Sequence, residues 1–292
     1  MDSYLFIINP TAGSGKAKAY ESYIKKYMDP TNLKYKVLFT TRPKEATQMV
    51  KNNPDYNICI GVGGDGTVLE VANGILQRGS GILGIIPAGT GNDFSKSIFT
   101  TSDLGSIFDK IINKKTKMID IGQVDGTYFL NIASLGFDAE VVRHTDKIKK
   151  IIKGKTAYIL GVFTSLLVYR SKSINIEVDG ISFRKKATLI AIGNGAYYGG
   201  GMQIIPMARV DDGKLDICII KNISNLRILL LFPSIFKGGH IKYEKYVEFH
   251  KGQRVSVKVE EEIHLNIDGE ISPIKDRVID FTIIPEKLEI IF

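Results

Sequence analysis

The stretch Asn57-Ile58-Cys59-Ile60-Gly61-Val62-Gly63-Gly64-Asp65-Gly66-Thr67-Val68-Leu69-Glu70-Val71-Ala72-Asn73-Gly74-Ile75 changes character twice. Asn57–Val62 is a short apolar run of strand length. Gly63 to Thr67 is turn-forming, and Val68–Ile75 places apolar residues at helical spacing. Strand, glycine-rich turn and helix in this order make half of a βαβ unit.

The same sequence of elements recurs on both sides. Tyr4–Ile8 reads as a strand, followed by Asn9-Pro10-Thr11-Ala12-Gly13-Ser14-Gly15-Lys16 and a helix from about Ala17 to Met28. Lys34–Thr40 reads as a strand and Pro43–Lys51 as a helix. Leu83–Ile86 is a further strand, leading through Pro87-Ala88-Gly89-Thr90-Gly91-Asn92-Asp93 into more helical sequence. Apolar strands alternating with helices imply a parallel sheet covered on both faces, and its turns gather at the carboxyl edge, where ligands bind. After about Gly122 the texture changes. QVDGTYFLN, IEVDGISFRK and LNIDGEIS are β-rich pairs joined by Asp-Gly, a strong hairpin signal, interrupted by helical stretches at about Asp146–Tyr169 and Leu226–Phe236. The expectation is an α/β parallel-sheet domain over residues 1–122 and an antiparallel β-rich domain over 123–292, with the last strand free to return to the first domain.

The total of 292 residues suits two domains, and the 44% hydrophobic and 24% charged fractions are those of a globular chain. Cys59 and Cys218 sit in apolar strand-like runs and read as buried free thiols of a reducing compartment. A formal charge of +8 suggests an acidic partner: nucleic acid, an anionic membrane surface or a phosphorylated ligand. MDSYLFIINP has no basic segment followed by a long apolar one, so no signal peptide is expected. The uncharged stretch Thr156–Tyr169 is short for a bilayer span. The expected location is the cytoplasm.

Gly61-Val62-Gly63-Gly64-Asp65-Gly66 matches the glycine pattern of dinucleotide sites. However, the next strand lacks the ribose-binding acid, and Asp65 inside the loop would repel a bare pyrophosphate. A carboxylate beside phosphate makes sense when Mg²⁺ lies between them. Gly63, Gly64 and Gly66 would admit phosphates to the main chain, and Thr67 offers a hydroxyl and an amide at a helix start. A tight turn with an incidental Asp is the plainer alternative. The first turn is not a Walker A loop, because Pro10 and Ala17 stand where glycine and a hydroxyl are needed, though Lys16 could still face phosphate. Asp93 reads equally as a helix cap. His144, His240, His250 and His264 lack zinc-ligand spacing. There is no G-x-S-x-G elbow, no protein-kinase H-R-D or D-F-G element, and no aromatic-and-basic nucleic-acid motif.

IINPTAGSGK, GVGGDGTVLEVANG, IPAGTGNDFSKS, MIDIGQVDG, SLGFDAEVV, NGAYYGGGMQIIPMARVDDGKLDI and LNIDGE together resemble the diacylglycerol kinase catalytic-domain family, in particular its small soluble bacterial members. NAD kinases are similar around GGDGT but not across the other blocks. The resemblance implies a three-layer ATP-binding domain and a β-sandwich-like domain with the active site in the cleft between them. The activity it implies is Mg²⁺-dependent transfer from ATP to a lipid hydroxyl in phospholipid biosynthesis. Diacylglycerol is the first acceptor; phosphatidylglycerol, sphingosine or ceramide, or a non-catalytic nucleotide-binding role, are the alternatives.

It implies nucleotide contacts from Asn9, Gly13, Lys16, Thr41, Gly64, Gly66, Thr67 and Thr90, and Asp65 beside the phosphates and catalytic Mg²⁺. Asp93 and Asp120 would extend a carboxylate–water network, and Glu270 would be the general base. A structural Mg²⁺ would take Asp212 (or Asp211) and the carbonyls of Leu215 and Ile217. Its partners would be ATP, a membrane lipid and the surface of an anionic membrane, not nucleic acid, and a homodimer is left open. Lys147, Lys149, Lys150, Lys153 and Lys155 precede the apolar run Ala157–Tyr169, and Arg170 and Lys172 follow it. This pattern suits peripheral association with an anionic membrane; a core helix with solvated ends is the alternative.

Overall fold

The computed structural model describes residues 2–99, 103–137, 141, 161, 165, 169–260, 263–272, 274 and 276–292. The chain divides into two compact units, Met1–Asp120 with Glu286–Phe292, and Ile121–Pro285.

In the first unit β1 (Ser3–Ile8), β2 (Lys34–Phe39), β3 (Ile58–Gly63) and β4 (Ile82–Pro87) run parallel in the order β2-β1-β3-β4. The last strand, Val278–Ile291 (β15), adds Glu289 and Ile290 in parallel beside Ile82 and Leu83. Every residue of β1 and β3 is buried, as expected for parallel strands covered on both faces. The covering helices are α1 (Tyr20–Met28), α2 (Glu45–Lys51), α3 (Asp65–Arg78), α4 (Asp93–Ile98) and α5 (Leu104–Ile112). Phe6, Ile8, Ile60, Val62, Ile86 and Phe108 share one core, with the Tyr27 ring stacked on Phe108 at 4.4 Å.

Helix starts differ from the periodicity for local reasons. Gly13, Ser14 and Gly15 all have positive φ, so Ala12–Ala19 is 3-10 in type and α1 begins at Tyr20. Lys44 at φ 65° delays α2 to Glu45. Helix α3 runs past Ile75 to Arg78 and ends at Gly79, whose φ of 80° allows its amide to reach Ile75 O at 2.9 Å.

In the second unit each of the three Asp-Gly pairs is a two-residue hairpin turn. Asp125-Gly126, Asp179-Gly180 and Asp268-Gly269 all have positive φ at both positions, the geometry that matches strand twist. They join β5 (Thr116–Val124) to β6 (Thr127–Phe129), β8 (Lys172–Val178) to β9 (Ile181–Gly193), and β13 (Leu265–Ile267) to β14 (Glu270–Ser272). The first half of β9 pairs with β8. Its second half lies between β7 (Ile132–Gly136) and β10 (Leu215–Lys221), and β10 continues to β11 (Val247–Gly252). β12 (Arg254–Val259) lies between β8 and β15.

Alternate residues of β9 serve two cores. Ile190 and Ile192 pack with Leu135, Ile217 and Phe281, whereas Leu189 and Ala191 pack with Met202, Ile205 and Cys218. The layered antiparallel arrangement is the expected sandwich-like domain. Both cysteines are buried and free, and burial pushes both thiols up.

The helical stretch expected at Leu226–Phe236 divides at Pro233 into α6 (Asn225–Leu231) and a 3-10 turn, Phe232–Lys237. The stretch expected at Asp146–Tyr169, with the lysines that bracket it, lies outside the described residues except for Gly161, Ser165 and Tyr169. Among the described residues no helix is long and apolar enough to cross a membrane.

Candidate active site

Strands β1, β3 and β4 end side by side, and the three glycine-rich turns leave the same edge of the sheet. The main-chain amides of Ala88 and Gly89 donate to Gly63 O at 2.8 and 3.1 Å, tying the third turn to the second. A Cβ added at Gly89 would stand 2.4 Å from Gly64 Cα, and one at Gly13 would stand 2.6 Å from Ala88 O. Glycine is therefore required for the turns to approach one another this closely. Asn9 joins the first turn to the second: its Nδ2 donates to Thr67 Oγ1 at 3.3 Å while its Oδ1 accepts from Thr11 N and Oγ1. Asn92, at φ 51°, closes the third turn on itself by exchanging hydrogen bonds with Gly89 N and O.

Asp65 opens α3 within this group. Its Oδ1 accepts from Phe94 N at 2.9 Å, so the carboxyl faces the start of α4. Burial pushes the Asp65 carboxyl above its ordinary range; the Phe94 amide opposes that shift, and neighbouring Asp93 adds to it. Asp93 is itself buried, with Lys96 Nζ 2.9 Å from its Oδ1. Two carboxylates at helix N-termini, one of them resisting ionisation, form a place that a cation would stabilise. Among the described residues no cluster of three or more His, Cys, Asp or Glu forms a cation cage. Mg²⁺ carried by substrate phosphates needs only one or two carboxylates, so the residues present fit an ATP-bound Mg²⁺.

Thr67 is buried and bonded to Asn9, whereas Lys16 and Thr90 are exposed beside the turns. Thr41 follows β2, one strand further out, and its amide and hydroxyl are both engaged by Glu45 at 2.6 and 3.0 Å. Asp120 is buried on β5, with Oδ1 accepting from Glu286 N at 2.9 Å. Gly66 differs from Gly13, Gly63 and Gly89 of these turns, because a Cβ there meets nothing within 4 Å. Gly66→Ala is expected to keep or raise Tm, since alanine is favoured in a helix by about 0.5–1 kcal/mol. If phosphates approach this main chain, KM for ATP rises about tenfold, the equivalent of one good hydrogen bond. Unchanged KM in a stable variant would remove Gly66 from the nucleotide site.

In the second unit Glu270 is exposed at the start of β14. Asp268, the first residue of its turn, has a role that the Asp-Gly hairpin signal does not announce. Its carboxylate accepts from the amides of Leu130, Asn131 and Ile132 at 2.7 to 3.0 Å, and its own amide donates to Ile132 O. Asn194 Nδ2 bonds Leu130 O at 3.0 Å, and Gly269 N donates to Asn266 Oδ1 at 2.9 Å. The hairpin that carries Glu270 is thus fixed from both sides.

Asp212 carries an ion pair in the structure. Lys251 Nζ lies 2.7 Å from Asp212 Oδ2 and 3.3 Å from buried Asp216, while Asp211 pairs with Arg209. Leu215 opens β10 and Ile217 lies two residues into it, both buried. We propose that a structural Mg²⁺, when bound, would take the Asp212 carboxylate together with the carbonyls of Leu215 and Ile217, in a place where Lys251 supplies the positive charge in this structure. Asp212→Ala is expected to lower stability by roughly 1 kcal/mol in metal-free buffer, because Lys251 loses one of its two charged partners. A further loss of Tm and activity seen in Mg²⁺-containing buffer would support the structural metal, and an equal loss in both buffers would exclude it.

Residues 3–124 match the model of the diacylglycerol kinase catalytic domain, and residues 131–292 match that of the YegS C-terminal NAD kinase beta sandwich-like domain. The diacylglycerol kinase of Bacillus subtilis (strain 168) is 31% identical over 268 residues, covering 90% of this chain and 88% of the relative. That of Staphylococcus haemolyticus (strain JCSC1435) is 32% identical over 269 residues, covering 90% and 81%. The chain belongs to the diacylglycerol kinase family. The crystal structure of a diacylglycerol kinase from Bacillus anthracis Sterne has the same fold, with a TM-score of 0.76 at 23% identity over 100% of this chain and 97% of that one. As a member of the family the protein is a lipid kinase that transfers phosphate from ATP.

Proposed function

We propose that the protein transfers the γ-phosphate of MgATP to the free hydroxyl of diacylglycerol, giving phosphatidic acid, in the cytoplasm at a membrane surface. The observation that carries this reading is the half-buried carboxyl of Asp65, pushed up by desolvation and by Asp93, inside three converging glycine turns. Asn9, Gly13, Gly64, Gly66 and Thr67 would present main-chain amides and hydroxyls to the phosphates, with Lys16, Thr41 and Thr90 at the margin of the nucleotide. Asp65 would orient the metal that travels with ATP, supported by Asp93 and Asp120. When bound, Mg²⁺ supplies neutralisation of the charge that builds on the transferred group. A lipid hydroxyl is a poor nucleophile, and Glu270 would take its proton as attack proceeds; a positioned base of this kind contributes about 10²–10⁴-fold.

Residues 1–122 would serve ATP, and 123–292 the lipid. A test is ADP formation with and without acceptor. Release should require Mg²⁺ and rise sharply when diacylglycerol is supplied in mixed micelles. Equal release in empty micelles would mean ATP hydrolysis rather than lipid phosphorylation.

A further inference from the structure

Segment Ser224–Tyr246 has an unusual distribution of apolar side chains. In α6, Ile228 and Leu231, continued by Phe232 and Ile235, recur at i, i+3, i+4 and i+7 and close an apolar cavity of about 60 Å³. Leu226, Leu229 and Leu230 recur at i, i+3 and i+4 on the other side and face solvent, with Leu226 and Leu230 each 69% exposed. No residue of α6 is buried. A helix apolar on all sides belongs in a nonpolar environment, and this one has such an environment on one side only.

Phe236, Ile241 and Tyr243 extend the exposed apolar surface, so that six of the eleven large exposed hydrophobic residues among those described fall between Leu226 and Tyr243. That concentration marks a surface with a partner. Its margin is basic: Arg227, Lys237, Lys242 and Lys245 are exposed, against one carboxylate, Glu244. Arg227 lies 5.5 Å from the Tyr246 ring and Lys245 lies 5.8 Å from it, which groups cations with an aromatic ring as at a lipid headgroup boundary.

We propose that Ser224–Tyr246 is the surface by which the protein docks on an anionic bilayer. Leu226, Leu230 and Phe236 enter the acyl boundary, and Arg227, Lys237, Lys242 and Lys245 meet the headgroups. This deepens, and rests on, the reading of the protein as a kinase of a membrane lipid. It assigns docking to a segment distinct from Lys147–Lys172. Charge decides between occupants: a second copy seated face to face would oppose like cations, whereas an anionic lipid surface complements them.

The test uses the full chain and vesicles of phosphatidylcholine alone or in equal parts with phosphatidylglycerol. Wild type is expected to co-sediment with the anionic vesicles and to be released by salt. Leu226→Ser with Leu230→Ser, and separately Lys237→Glu with Lys242→Glu, should each weaken that binding about tenfold or more. Turnover on a water-soluble short-chain diacylglycerol should be unchanged, which also shows that both variants fold. Wild-type vesicle affinity in both variants overturns the proposal. So does a loss in the leucine variant alone that accompanies a dimer-to-monomer change in sedimentation velocity, because the face would then be a self-association surface. Failure of every lipid acceptor to be phosphorylated would strike the kinase reading instead, and it is read in a separate assay.

Discussion

Asp65→Asn is expected to reduce phosphoryl transfer at least about a hundredfold while leaving the fold in place. The amide oxygen of asparagine can still accept from Phe94 N, so the link between α3 and α4 survives. What is lost is the negative charge. In the native protein that charge is held in a half-buried position next to Asp93, an arrangement that costs stability until a cation arrives. Removing it should therefore not lower Tm in metal-free buffer, and it should abolish the rise in Tm that MgATP gives the wild type. Turnover and thermal shift measured on the same preparation check both halves. Undiminished turnover at saturating Mg²⁺ would show that Asp65 is only a turn residue.

Glu270→Gln is expected to lower kcat by about 10²–10⁴-fold with little change in KM for ATP, because the proton leaves the lipid hydroxyl only as the transition state forms. Substitution at this exposed position should leave Tm unchanged, since the hairpin is fixed by Asp268 and Asn266 rather than by Glu270. Steady-state kinetics over a range of ATP and acceptor concentrations separates the two constants. A defect confined to ATP affinity, or no defect, would exclude Glu270 as the base.

Much of the fold was legible because local signals agreed. Parallel strands with both faces buried read as unbroken apolar runs, and each Asp-Gly pair took the positive-φ hairpin form that only such residues adopt readily. Helix starts were less legible, because Ser14 and Lys44 take positive φ in sequences that do not announce it. In the candidate site, the glycine turns could be read as phosphate loops. Their mutual approach could not, since the requirement for glycine at position 89 arises from Gly64, far away in sequence.

The clamp at Asp268 was missed for the same reason: it depends on amides of Leu130, Asn131 and Ile132 brought in by tertiary folding. The partner of Asp212 depends on strand register. Asp216 lies opposite Lys251 in the β10–β11 ladder, and no local pattern places that ammonium between two carboxylates. The leucines of α6 read in sequence only as part of a helical stretch, and their exposure in the structure marks them as a surface in need of a partner.

The most direct test of the central claim is a transfer assay with γ-labelled ATP, Mg²⁺ and a panel of acceptors. The panel holds diacylglycerol, phosphatidylglycerol, sphingosine and ceramide at equal mole fraction in mixed micelles, with NAD as the soluble control. The predicted result is label that extracts into organic solvent as phosphatidic acid, requires Mg²⁺, and is greatest with diacylglycerol. Label found on NAD and on no lipid would contradict it.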